Sequence, residues 1–81
     1  MHAHERAEAR LRPLLATLEG KLGADDSRSV KELIDHNECV IALENMCTQL
    51  HEFDAELSST ELKEIQAVAN LLNVDVTYRS A

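Results

Sequence analysis

Tryptophan is absent from this 81-residue chain, and its aromatic residues come down to one phenylalanine, Phe53, and one tyrosine, Tyr78. A surface that stacks on bases needs more rings, and one that neutralises phosphates needs clustered cations. Here eight Lys and Arg stand against fifteen Asp and Glu, a net charge of −7. Nucleic acid is therefore excluded as a partner, and anionic membrane surfaces are disfavoured for the same reason. Two glycines, one proline and few β-branched residues argue against a sandwich or barrel, which needs frequent tight turns. Long apolar runs are missing as well. The longest covers residues 39–43, far short of the roughly 20 needed to cross a bilayer. The first twelve residues alternate small and charged side chains, unlike a secretory leader, so the expected location is the cytoplasm. Cysteine occurs twice, at Cys39 and Cys47. On one helix that spacing sets the two about 12 Å apart along the axis, beyond the roughly 7 Å that a disulfide spans. No intramolecular bridge is expected, which suits a reducing compartment.

What the chain does have is helical periodicity. Residues 5–22 place Leu11, Leu14, Leu15, Leu18 and Leu22 on one face. Pro13 interrupts that stripe, so either the helix kinks at residues 9–12 or Pro13 belongs to its first turn, with the first ten residues less ordered. After Gly20 and Gly23, Asp25 or Asp26 can cap a second helix over residues 27–36 that buries Val30, Leu33 and Ile34. Ser29 and Glu32 stand at capping-box spacing if it starts later, and Asn37 ends it or caps the next. The third helix, residues 38–53, is the most strongly patterned, with Leu43, Met46, Cys47, Leu50 and Phe53 directed inward. Ser58 and Glu61 then form a capping box with Leu57 and Leu62 in staple positions, opening a fourth helix that buries Leu62, Ile65, Val68, Ala69 and Leu72 before Asn73. The tail alternates Val74, Val76 and Tyr78, compatible with an extended segment. The fold class is all-α, one domain over residues 1–81 built as a compact antiparallel bundle of about four short helices.

Catalytic chemistry has little to work with. There is no glycine-rich phosphate loop, no nucleophile elbow and no His-Glu-x-x-His pair, so no enzymatic activity and no cofactor are expected. His36 and Cys39 could share a metal, and His2 and His4 form a short His-x-His, but a closed zinc site needs four ligands and no others stand at a recognised spacing. Surface histidines and no metal are the expectation. Cys39 and Cys47 read as small core residues, with Glu38 and Glu44 raising rather than lowering a thiol pKa.

Charge is distributed unevenly. Residues 32–64 hold nine acids (Glu32, Asp35, Glu38, Glu44, Glu52, Asp54, Glu56, Glu61 and Glu64) against the single base Lys63, whereas the remainder is close to neutral. At 100° per residue, Glu38, Asn45, Gln49 and Glu52 lie opposite Leu43 and Leu50. This face is either a solvated surface that keeps a small protein in solution or a docking surface that steers a basic partner. Ile41 falls on the same side. It is either an apolar anchor within a polar rim or a sign that the helix is covered on both sides, the reading favoured at this stage.

The run Leu33-Ile34-Asp35-His36-Asn37-Glu38, the helix from Ala42-Leu43-Glu44 to Gln49-Leu50-His51-Glu52-Phe53-Asp54, and Leu57-Ser58-Ser59-Thr60-Glu61 resemble the MafI-type immunity proteins. Asn37 stands where that pattern has glycine, and aromatics are absent near Cys39 and His51. The four-helix immunity proteins of nuclease colicins match in size and acidity but carry a paired-tyrosine motif that is not present here. The MafI resemblance implies a small acidic helical protein that binds and neutralises a cognate toxin domain, often a nuclease with a basic cleft. The binding positions it implies are Glu38, Glu44, Glu52, Asp54, Glu56 and Glu61, with Ile41 as an anchor, and none is catalytic. A monomer or weak dimer is expected. The alternative is a helical adaptor that docks on another protein through an apolar groove, with an exposed apolar patch and salt-insensitive binding.

Overall fold

A computed structural model describes residues 3–75, with side chains from residue 5 onward. These residues form α1 (Ala3–Leu18), a 3-10 turn (Glu19–Lys21), α2 (Ala24–Asp35), α3 (Cys39–Glu52) and α4 (Ser59–Leu72), with no strand among them. The all-α class follows directly. The side chains of His2 and His4, and the tail through Val76 and Tyr78, lie outside the described residues.

Long-range ion pairs show the direction of each helix. Arg10 meets Glu64 and Lys21 meets Glu61, so α4 descends as α1 ascends. Arg12 meets Asp35, while Glu19 shares a cleft with Lys31, so α2 also runs antiparallel to α1. Packing is strongest between α1 and α4 and between α2 and α3, and α3 touches α1 and α4 as well. The leucine stripe of α1 is buried from Leu11 to Leu22 and meets Val30 and Ile34 of α2, Leu43, Met46 and Leu50 of α3, and Ile65 and Val68 of α4. Leu11, Leu18, Leu43, Met46 and Leu50 are completely enclosed. The Cα radius of gyration, 11.4 Å, matches the value of about 12 Å for a single domain of this length.

Local chemistry explains the boundaries. Pro13 lies inside α1, neither in its first turn nor at a break, and the helix runs on through it. Residues N-terminal to Pro13 stay helical because Ala7 and Leu11 are fully buried there. Ala9 lacks its usual amide donor, since proline has none, while Thr17 donates its hydroxyl to the Pro13 carbonyl at 3.0 Å. α2 starts three residues earlier than the sequence reading placed it. Gly23 is its N-cap, without a side-chain bond, and Asp25 and Asp26 sit in the first turn, where carboxylates complement the helix dipole. Ser29 and Glu32 are therefore interior residues, not a capping box. α4 opens as expected: Glu61 N–H donates to Ser58 Oγ at 3.1 Å, and Ser58 N–H donates to Glu61 Oε1 at 2.7 Å.

Three helices end the same way, and none uses glycine. Asn37, Asp54 and Asn73 have φ of 61°, 51° and 56°. In each case the next residue's amide reaches back five residues: Glu38 to the Leu33 carbonyl, Ala55 to Leu50, and Val74 to Ala69. These are Schellman turns, in which asparagine and aspartate accept the left-handed backbone because their short polar side chains tolerate it.

Candidate protein-docking face

α3 has two unlike sides. Inward it buries Cys39, Ala42, Leu43, Met46, Cys47 and Leu50. Outward it presents Ile41, Glu44, Asn45, Thr48 and Glu52, all exposed. Ile41 is 45% exposed, so the helix is not covered on both sides; the reading favoured from the sequence is corrected, and Ile41 stands as an apolar residue among carboxylates. Ile41 and Glu44 are neighbours one turn apart, and Glu44, Thr48 and Glu52 continue the row at i, i+4 and i+8, about 12 Å from first to last. Thr48 turns its hydroxyl back to the Glu44 carbonyl at 2.9 Å, leaving the two glutamates as the outward-reaching groups of that row.

The six acidic positions named from the sequence do not share one state. Glu44, Glu52 and Asp54 lie along the outward side of α3 and its closing turn, exposed, and no Lys or Arg of the described residues pairs with them. Glu38 is at the opposite end, the N-cap of α3, without a side-chain cap bond. It shares the rim of a cleft of about 300 Å³ with Glu32, Ser29, Leu33 and His36. Glu56 is exposed, but Lys21 Nζ donates to its backbone carbonyl at 2.6 Å, which brings a positive charge beside it. Glu61 is set apart. The same Lys21 ammonium donates to its Oε1 at 2.9 Å, and its carboxylate also closes the capping box. The Ser58 amide first, and then Lys21, hold the Glu61 pKa below the ordinary carboxylate range.

Elsewhere, a subset of the acids is matched by cations across the helix junctions. Arg10 grips Glu64 in a bidentate pair, Nε to Oε2 at 2.9 Å and Nη2 to Oε1 at 2.8 Å, and this lowers the Glu64 pKa. Arg12 bridges Glu8 at 3.0 Å and Asp35 at 2.8 Å. The Arg and Lys ion pairs among the described residues join or lie on α1, α2, the 3-10 turn and α4, and none of them involves an acid of α3.

Phe53 was read as core and is instead 53% exposed. A helical wheel gives the direction of a side chain but not how far along the axis a neighbouring helix reaches. Phe53 follows the last residue of α3, just beyond the fully buried Leu50. The signal available in the sequence was Asp54, whose αL conformation ends the helix at this point.

Reactive chemistry is muted. Cys39 and Cys47 are buried and unbridged. Burial, then Glu44, pushes the Cys47 thiol up to about 11, and burial raises Cys39, so both are protonated at neutral pH. No group of three or more His, Cys, Asp or Glu among the described residues is placed to share a metal ion. His36 is exposed while Cys39 is fully buried, which separates the pair that their spacing suggested. None of the described helices is long and apolar enough to cross a membrane. The chain matches no protein-family model, no curated protein and no solved structure.

Proposed function

We propose that the protein is a binding module that captures a basic protein partner on the outward side of α3 and the turn after it. As the MafI resemblance implies, that partner is a cognate toxin domain, neutralised by occupation or flanking of its basic cleft. The observation supporting the reading is the contrast in pairing. Glu64, Glu61, Asp35 and Glu8 each have a cation at 2.8–3.0 Å, whereas Glu44, beside Ile41, and Glu52 and Asp54, at the other end of the helix, are exposed with no Lys or Arg of the described residues paired to them. Unpaired charge of one sign steers encounter and selects a partner of opposite sign, and an apolar residue within it supplies contact area. The carboxylates recognise and accept hydrogen bonds, and no bond is made or broken.

The test neutralises charge without disturbing shape: Glu44→Gln, Glu52→Gln and Asp54→Asn together, asparagine being chosen because residue 54 must hold a positive φ. Association with the co-encoded basic domain should slow about tenfold at low salt, an effect typical of lost steering, and converge with wild type at high salt. Glu5→Gln, Glu19→Gln and Asp75→Asn, exposed and on segments other than α3, should change little. Equal slowing by both sets would reduce the α3 side to a solvated surface. A helical adaptor is the second reading, favoured by a groove of about 400 Å³ between α1 and α4 whose floor of Ala9, Pro13, Leu14, Thr17 and Thr60 is edged by Arg10, Glu61 and Glu64. Binding that used the apolar floor alone would be indifferent to salt.

A further inference from the structure

The chain's single phenylalanine is spent on the surface, at the one place where the carboxylates are densest. Phe53 is flanked by Glu52 and Asp54, with Glu56 two residues on, and all four are exposed. The backbone accounts for this placement. Asp54 at φ 51° closes the Schellman turn, its amide on the His51 carbonyl and the Ala55 amide on that of Leu50. Ala55 and Leu57 then lead the chain back onto the core and leave the ring outside. Burying a phenylalanine stabilises a fold by roughly 2 kcal/mol, so leaving it exposed forgoes a contribution that a small domain can use.

What covers such a ring is limited by its surroundings. A second copy of the chain would bring Glu52, Asp54 and Glu56 against the same three acids, with only Lys21, on the Glu56 carbonyl, to offset them, on molecules already at −7. An anionic lipid surface meets the same repulsion. A cation with a flat face meets neither objection. A guanidinium stacks on an aromatic ring and offers a fork of donors to neighbouring carboxylates, whereas an ammonium is a compact point charge that keeps its water more tightly.

We infer that the 52–56 turn is an arginine-recognition element: Phe53 is the platform for a guanidinium of the partner, and Glu52, Asp54 and Glu56 are its carboxylate rim. This deepens the proposed function and rests on it, since it specifies which cation the acidic surface takes.

The experiment titrates the full chain at low salt with two probes, octa-arginine and octa-lysine, by calorimetry and by proton NMR of the phenylalanine ring. Because the chain has one phenylalanine, isotope labelling of that residue type alone gives a single ring to follow. Wild type should bind octa-arginine about fivefold more tightly than octa-lysine, the scale of an exposed cation–π contact, with a ring shift for arginine only. Phe53→Leu should lose most of that preference and Phe53→Tyr should keep it. Residue 53 lies outside the core, so both variants should fold, and their helicity is checked in parallel. An unchanged arginine-to-lysine ratio in Phe53→Leu, or a ring that does not respond, overturns the inference while leaving the acidic docking surface standing. Failure of wild type to bind either peptide overturns both.

Discussion

The α1–α4 side and the outward side of α3 are both polar, and they use their charges in opposite ways. On the first, Arg10, Lys21 and the carboxylates of Glu64 and Glu61 meet across 54 and 40 residues of sequence, and their charges cancel where two helices join. On the second, Glu44 and Glu52 share a helix face with no Lys or Arg of the described residues paired to them, and the only large apolar residues exposed among the described ones, Ile41 and Phe53, are found there and in the adjoining turn. The first arrangement positions helices. The second makes no Lys or Arg ion pair to another helix among the described residues, which is why it is the part we assign to a partner. The comparison teaches that formal charge locates no site by itself; what matters is which charges the fold has already matched.

The comparison breaks most sharply within α3 itself. Leu43→Ala empties a completely enclosed position and should cost about 3 kcal/mol, whereas Ile41→Ser, two residues away on the other side, should stay within about 0.5 kcal/mol of wild type in urea denaturation. Comparable losses would mean that the outward side is packed after all. On the matched side, Ser58→Ala removes the acceptor for the Glu61 amide and should cost about 1 kcal/mol. No change would imply that Lys21 and Glu61 hold the start of α4 without the cap.

The smallest expected effect is on acidification. Glu61 and Glu64 have pKa values lowered below 4.5 in the folded chain, by the Ser58 amide and Lys21 in one case and by Arg10 in the other. Between those lowered values and about 4.5 the unfolded chain binds more protons, so stability rises with pH across that window. Their contribution is complete at neutral pH and is lost as pH falls through the folded-state values. Urea midpoints measured from pH 7 to pH 3 should fall less for the Glu61→Gln, Glu64→Gln variant than for wild type. Parallel curves would show that the matched charges stabilise no more than the unmatched ones.

How much could be read beforehand depended on the reach of the interaction concerned. The start of α4 was legible because both halves of its capping box lie within four residues. The start of α2 was not, because Gly23 caps it with no side chain and leaves no chemical mark. Pro13 left two readings open, and a helix start at Pro13 is removed by the burial of Ala7 and Leu11 in the turns before it. For the candidate site, periodicity turned Asn45 and Glu52 outward, as they are, but also Gln49, which is half-buried, while the exposed Glu44 came only from the resemblance. It could not foresee that Glu61 would be taken by Lys21, 40 residues earlier, nor that no helix would extend far enough to cover Ile41 or Phe53.

Lys21 also bears on how the surface would behave once engaged. Its ammonium holds the Glu56 carbonyl and the Glu61 carboxylate together, fastening the segment after α3 to the 3-10 turn that follows α1. A segment fixed in this way has little conformational freedom left to surrender on capture. The entropy of ordering it is lost when the chain folds rather than when a partner arrives, and that favours a long-lived complex over a fleeting one.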